Sequence, residues 1–386
     1  MESMSDAPQR AGVAGKNLDS RLLRAGGVLT VDLDAIVANW RLITGRLKPG
    51  SRCAAVVKAD AYGLGMAAAA PALAAAGCRR FFVATIDEGL ALRALLPAVE
   101  VIVLCGPFAG TEGDFLAHRL LPVLNTPQQV ADWARFARLR EQPLPSVLHV
   151  DTAMSRLGLH HAEARTVAED RQTMAAIAPM LVMSHLACAD EPDDPLNAGQ
   201  LAAFTAARAL FPGVEGSVAA SSGIFLGPDW HADWVRPGAA LYGLRPVPAL
   251  PNPMAQVVRL QGRIIQLREV DEGKTVGYGA THRVVAKARL ATVGAGYADG
   301  IFRMLSNRGC GHVGERRVPL VGRVSMDLVV FDVTGVPAAD VQPGRFIDLI
   351  GPHQSVDDLA HDARTIGYEV LTALGARYYR KYLSRT

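Results

Sequence analysis

A parallel (β/α)8 barrel followed by a smaller β-rich domain is the architecture this sequence predicts, and three observations predict it. Short β-branched apolar runs alternate with longer alanine- and leucine-rich stretches of helical period as far as about residue 250. Pro246, Pro248, Pro251 and Pro253 then crowd one short stretch and discourage either element from continuing. Beyond them the texture changes to short strands broken by glycine.

Residues 1–26 are polar, lack the apolar core of a signal peptide and read as a tail with no core to join. The barrel is expected over 27–250. Its eight strands are read in AAVVKAD near residue 54, RFFVAT near 80, EVIVLCG near 100 and LPVLNT near 121, then SVLHVDT near 146, MLVMSHLA near 180, GSVAAS near 216 and WVRPGAALYG near 234. Intervening segments such as PQQVADWARFARLR are long enough for the helix that a right-handed parallel crossover needs. Residues 251–386 form the β-rich domain, from VVRLQGRIIQLREV to GRFIDLIG, and TIGYEVLTALGARYYRKYL reads as a short terminal helix.

Composition narrows the function. Half of the 386 residues are hydrophobic, enough for a large core, and no apolar run is long enough to span a membrane. The net charge of +3 is spread without a like-charge block, which argues against a nucleic-acid surface and leaves a small-molecule ligand. Five cysteines, an odd number without a CxxC pair, suggest neither a disulfide framework nor a metal site, and fit reduced thiols in the cytoplasm.

Catalytic side chains of such barrels sit where strands end. Lys58 closes AAVV, Arg156 follows LHVDT, His185 closes LVMS and Arg236 lies in WVRPG, so four strands aim polar groups at one mouth. Lys58 is the most informative: among apolar neighbours its ammonium is poorly solvated, so more of it is free amine, able to condense with an aldehyde.

The stretch AVVKADAYGLG resembles the cofactor-lysine motif of the alanine racemase family. VDTAMSRLGL, SHLACADE, ASSGIFL, VRPGAALYG, VGYGATH, GYADG, VGRVSMD and GYEVLT match further family segments in the same order. The resemblance implies that pyridoxal 5'-phosphate (PLP) is bound on Lys58, that Arg236 donates to its pyridine nitrogen, and that His185 and Arg156 lie beside the ring. It implies phosphate contacts from Tyr62, Ser222, the backbone N–H of Gly238 and Tyr368. Two bases must flank the α-carbon in a racemisation. Lys58 is one, and the resemblance makes Tyr278 of a partner subunit the other, in a homodimer with shared sites. Tyr297 and Met326, from that same partner, match substrate-carboxylate and entrance residues. Asp190, Arg303 and Arg323 match outer entrance positions. The implied activity is interconversion of L- and D-alanine, supplying D-alanine for peptidoglycan. A racemase of another small amino acid such as serine, a PLP-dependent decarboxylase and a non-catalytic PLP-binding protein are the alternatives.

Some positions depart from the family pattern. His149 stands where many members carry a carbamylated lysine that orients the neighbouring arginine, so Arg156 would be held by a bound anion or by a neutral imidazole acceptor. Val218 and Ser221 replace a histidine and an asparagine, with consequences for rate and pH optimum, and Leu64 and Ala153 replace a histidine and a glycine in loops.

Overall fold

The computed structural model describes residues 19–384. Seven parallel strands follow one another in chain order: Ala55–Val56, Arg80–Val83, Glu100–Val103, Leu120–Leu124, Ser146–His149, Pro179–Met183 and Glu215–Ser217. Trp234–Val235 is the eighth. It pairs in parallel with Arg52–Cys53, just ahead of the first strand, and a bridge from Ala220 to Arg236 joins it to the seventh, so the sheet closes on itself. Inward residues such as Phe82, Ile102, Val147 and Leu181 are fully buried and fill the barrel as a packed core rather than a pore.

Helices between the strands start where the sequence supplies caps. Thr85 with Glu88 forms a capping box ahead of Ile86–Leu95, and Thr126 followed by Pro127 opens Pro127–Leu139. Each buries one apolar stripe against the sheet; in the second helix this is Val130, Trp133, Ala134 and Ala137.

The second sheet is organised around the long strand Val258–Val270. It pairs antiparallel with Gly27–Asp32 and Phe346–Ile350 over its first half and with Ala288–Val293 over its second. A register shift between Ile264 and Gln266 accompanies that change of partner, as expected where an extra residue bends a strand. Gly27–Asp32, read from sequence as part of the barrel unit, is thus hydrogen-bonded into the second sheet. Of the expected tail, residues 1–18 lie outside the described residues, whereas Ser20–Arg24 forms a short helix capped by Asp19. Arg263 donates to the carbonyls of Leu22 and Ala25 and fastens that helix to the sheet.

The chain's last elements also differ from expectation. The helix Gly367–Ala373 stops ahead of Gly375, and Tyr379–Leu383 is a strand parallel to Gly27–Asp32. The tyrosines of YYRKYL are residues that strands favour, a signal that the helical reading overlooked. One apolar core runs without a break from the barrel into this sheet. No helix among the described residues is long and apolar enough to cross a membrane.

Candidate active site

Lys58 begins one turn of unusual backbone. Ala59, Asp60, Ala61 and Tyr62 all have φ between 52° and 57°, the left-handed region that non-glycine residues avoid. Glu88 holds this turn: one carboxylate oxygen accepts the Ala59 N–H at 2.6 Å and the other the Ala84 N–H at 2.7 Å. Asp60 accepts the Met66 N–H at 2.7 Å on the far side. The turn points Lys58 into the barrel mouth and swings Tyr62 back under it. Burial and then the Arg156 guanidinium hold the Lys58 ammonium below its usual pKa, as its strand-end position predicts.

Arg236 is 3% exposed and has no carboxylate partner among the described residues. Nη1 donates to Ser217 Oγ at 2.5 Å and Nη2 to the Ser184 carbonyl at 2.7 Å. Burial lowers its pKa to about 10, so it stays a cation at neutral pH. A buried cation neutralised by hydroxyl and carbonyl dipoles alone is costly unless an electron-rich acceptor completes its shell.

His185 and His149 lie within electrostatic reach of Arg236 and Arg156. Burial first, then Arg236, pushes His185 down to about 3 and His149 down to about 4, so both are neutral near pH 7. His149 Nδ1 lies 2.8 Å from Asn125 Oδ1. Arg156 itself is exposed on the loop after Ser146–His149. The neutral His149 imidazole is within electrostatic reach of Arg156, but no hydrogen bond joins the two among the described residues.

Tyr62, Tyr368 and Gly238 gather on one side of the mouth. Tyr62 is buried, its ring centroid 6.1 Å from that of Tyr368 and 4.8 Å from that of Tyr242. Its hydroxyl lies so close to Gly238 that any Cβ there would collide with it. The Gly238 N–H, a phosphate contact in the sequence reading, donates to Ser221 Oγ at 3.1 Å, as does Ala240 N–H. Ser222, beside it at the start of the short helix Ser221–Ile224, is half-buried.

Tyr278, Tyr297 and Met326 all lie on the second domain. They are 72%, 45% and 53% exposed, and no hydrogen bond or ring contact within the chain joins them to the Lys58 group. Tyr278 sits between Gly277 and Gly279, both at positive φ, with the Arg323 guanidinium against Gly279. Tyr297 N–H donates to the Ser325 carbonyl and Ala298 N–H to that of Met326, each at 3.0 Å, which binds the GYADG turn to the VSMD loop. Sequence reasoning overlooked Glu88, Asn125 and Ser217. Only Glu88 carried a signal, the Thr-x-x-Glu box.

A closed barrel with a strand-end lysine under an arginine cluster, joined to a β-rich domain, defines the class of molecule that the comparisons then specify. The model of the alanine racemase N-terminal domain matches residues 31–246 and that of the alanine racemase C-terminal domain residues 257–382. The chain belongs to the alanine racemase family. It is 55% identical over 360 residues to the alanine racemase of Rhodospirillum rubrum, covering 93% of this chain and 96% of the relative. Against that of Rhizobium meliloti it is 47% identical over 373 residues, with 94% and 98% covered. Among solved structures it resembles the Bartonella henselae alanine racemase with covalently bound pyridoxal phosphate, at TM-score 0.89 and 40% identity, covering 93% of this chain and all of that one. The biosynthetic alanine racemase of Pseudomonas aeruginosa aligns at TM-score 0.87 and 35% identity, over 93% of this chain and 100% of its own.

Proposed function

We propose that this chain racemises alanine with PLP bound covalently through Lys58, acting as a homodimer whose two sites are each built from both subunits. The observation that carries the reading is Lys58 itself, a poorly solvated amine at a strand end, near Arg156 and Arg236, neither of which forms an ion pair among the described residues. The residues present fit the cofactor. The buried Arg236 lacks an anionic partner among the described residues, Tyr62 and Gly238 leave no room for a side chain between them, and burial holds the Lys58 ammonium below its usual pKa. When bound, PLP would supply the electron sink that acidifies the α-proton of an amino acid.

The protein's own groups do the rest. Arg236 donates to the pyridine nitrogen, and because a guanidinium keeps its proton that nitrogen stays unprotonated, a weaker sink that disfavours side reactions. Tyr62, Tyr368 and Ser222 hold the phosphate with hydroxyl groups. His185 lies along the ring as a neutral imidazole. Lys58 Nζ moves a proton on one face of the α-carbon and the phenol of the partner subunit's Tyr278 on the other, so removal and return on opposite faces invert the centre. Arg156, the partner's Tyr297 and the amide of the partner's Met326 orient the carboxylate. Exposure of Tyr278, Tyr297 and Met326 in the single chain supports their burial against another subunit.

Five free cysteines support residence in the reducing cytoplasm, where D-alanine would be made for peptidoglycan. The test is chiral analysis of product from a panel of L-amino acids. Wild-type protein forms D-alanine fastest, and Lys58→Ala forms none and loses the visible absorption of lysine-bound PLP. Faster turnover of L-serine, or evolution of CO2, would reassign the substrate or the reaction.

A further inference from the structure

The turn Gly296–Gly300 is clamped from outside by one arginine. Arg377 spends all three guanidinium nitrogens on two acids: Nε to Asp299 Oδ1 at 2.6 Å, Nη2 to Asp299 Oδ2 at 2.6 Å, and Nη1 to Asp327 Oδ1 at 2.7 Å. Asp299 is buried, its side chain only 6% exposed, while Arg377 lies half in solvent. An exposed ion pair alone is weak, but a bidentate fork on a buried carboxylate has one geometry and excludes others.

That geometry is transmitted directly to two proposed substrate-side residues. Asp299 Oδ2 also accepts the Gly296 N–H at 2.9 Å, so the carboxylate closes the turn that carries Tyr297. Asp327 adjoins Met326 in the chain. The turn is also wedged against Arg377's own segment: Gly375 N–H donates to the Asp299 carbonyl at 3.2 Å, and a Cβ at Gly300 would strike the Ala373 carbonyl.

The same C-terminal segment reaches the chain's own barrel. Tyr368, on Gly367–Ala373, stands beside Tyr62, and Arg380 Nη1 donates to the Gly63 carbonyl at 2.6 Å, directly after the left-handed turn of Lys58. Residues 367–383 therefore touch the chain's own site at both ends and the Tyr297 turn in between.

We infer that Arg377 is a positioning residue acting in trans: by locking Asp299 and Asp327 it sets Tyr297 and Met326 at the substrate carboxylate in the partner subunit's barrel. The inference rests on the shared-site reading above. It assigns no role to Arg377 in its own barrel, although its segment is anchored there.

The test uses PLP-loaded dimers carrying Arg377→Met. KM for L-alanine rises about tenfold while kcat changes less than about threefold, the pattern of lost ground-state binding. Amide hydrogen exchange quickens at 296–300 and 325–328, with the thermal midpoint checked so that global unfolding is not the cause. Asp327→Asn, which spares the buried fork, gives a smaller change of the same kind. Hybrid dimers assign the direction. With Arg377→Met in the subunit that also carries Lys58→Ala, the one working barrel faces the altered turn and KM rises. With Arg377→Met in the subunit that keeps Lys58, KM stays at the wild-type value. Equal KM in the two arrangements, or the reverse order, overturns the inference. Failure of Lys58→Ala and Tyr278→Phe subunits to regenerate activity under demonstrated exchange sinks the shared-site reading beneath it instead, and the inference with it.

Discussion

Asn125 fixes the tautomer of His149. Its amide nitrogen donates to the carbonyls of Leu104 and Val123, both at 3.0 Å, so Oδ1 faces His149 Nδ1 and can only accept from it. Nδ1 therefore carries the proton, and Nε2 is left unprotonated in the neutral ring.

Stability near neutral pH follows from that neutrality. His149 and His185 stand at about 4 and about 3 when folded, below the 6.5 of a free imidazole. Under pH 6.5 the unfolded chain takes up protons that the folded chain refuses, so stability falls from about pH 6.5 towards pH 4, by about 1.4 kcal/mol per pH unit for each histidine. Thermal midpoints across this range should decline, and His149→Gln should remove about one proton from the slope. An unchanged slope in that variant would show His149 titrating normally.

Glu88 should matter beyond its distance from the chemistry. Glu88→Ala leaves the exposed Ala59 and half-buried Ala84 amides without their acceptor and frees the left-handed turn that it holds. We expect a lower thermal midpoint and reduced PLP occupancy by absorbance, with Glu88→Gln between Ala and wild type. Full occupancy in Glu88→Ala would mean that the left-handed turn stands without it.

Gly238→Ala probes the phosphate side. The added Cβ meets the buried Tyr62 hydroxyl, which must move or be lost. PLP affinity, measured by fluorescence titration of the apoprotein, should fall at least about tenfold, equivalent to one lost hydrogen bond to a charged group. Unaltered affinity would remove Tyr62 and Gly238 from the cofactor site.

The barrel was legible because its strands end in chemistry-bearing residues: Lys58, His149, His185 and Arg236 each follow an apolar run that sequence alone marks out. Gly27–Asp32 was not, since a strand's sheet is chosen by partners more than 200 residues away, here Val258–Val270. The terminal strand was read as helix because it follows a true helix, Gly367–Ala373, after only a short break. Asn125, Ser217 and Arg377 act through hydrogen bonds to segments distant in the chain, and no local pattern announces such bonds.

The account's central claim is that two different bases serve opposite faces of one carbon. It is tested most directly by α-proton exchange in D2O, followed by NMR with each alanine enantiomer on the Tyr278→Phe dimer. Family resemblance assigns Tyr278 to the L-face and Lys58 to the D-face. Lys58 can still remove and return a proton on its own side without inversion. D-Alanine should therefore exchange with retention while L-alanine exchanges slower by about 10²-fold or more, the usual contribution of a general base. Equal exchange of the two enantiomers would contradict the claim and assign both faces to one mobile base or to water.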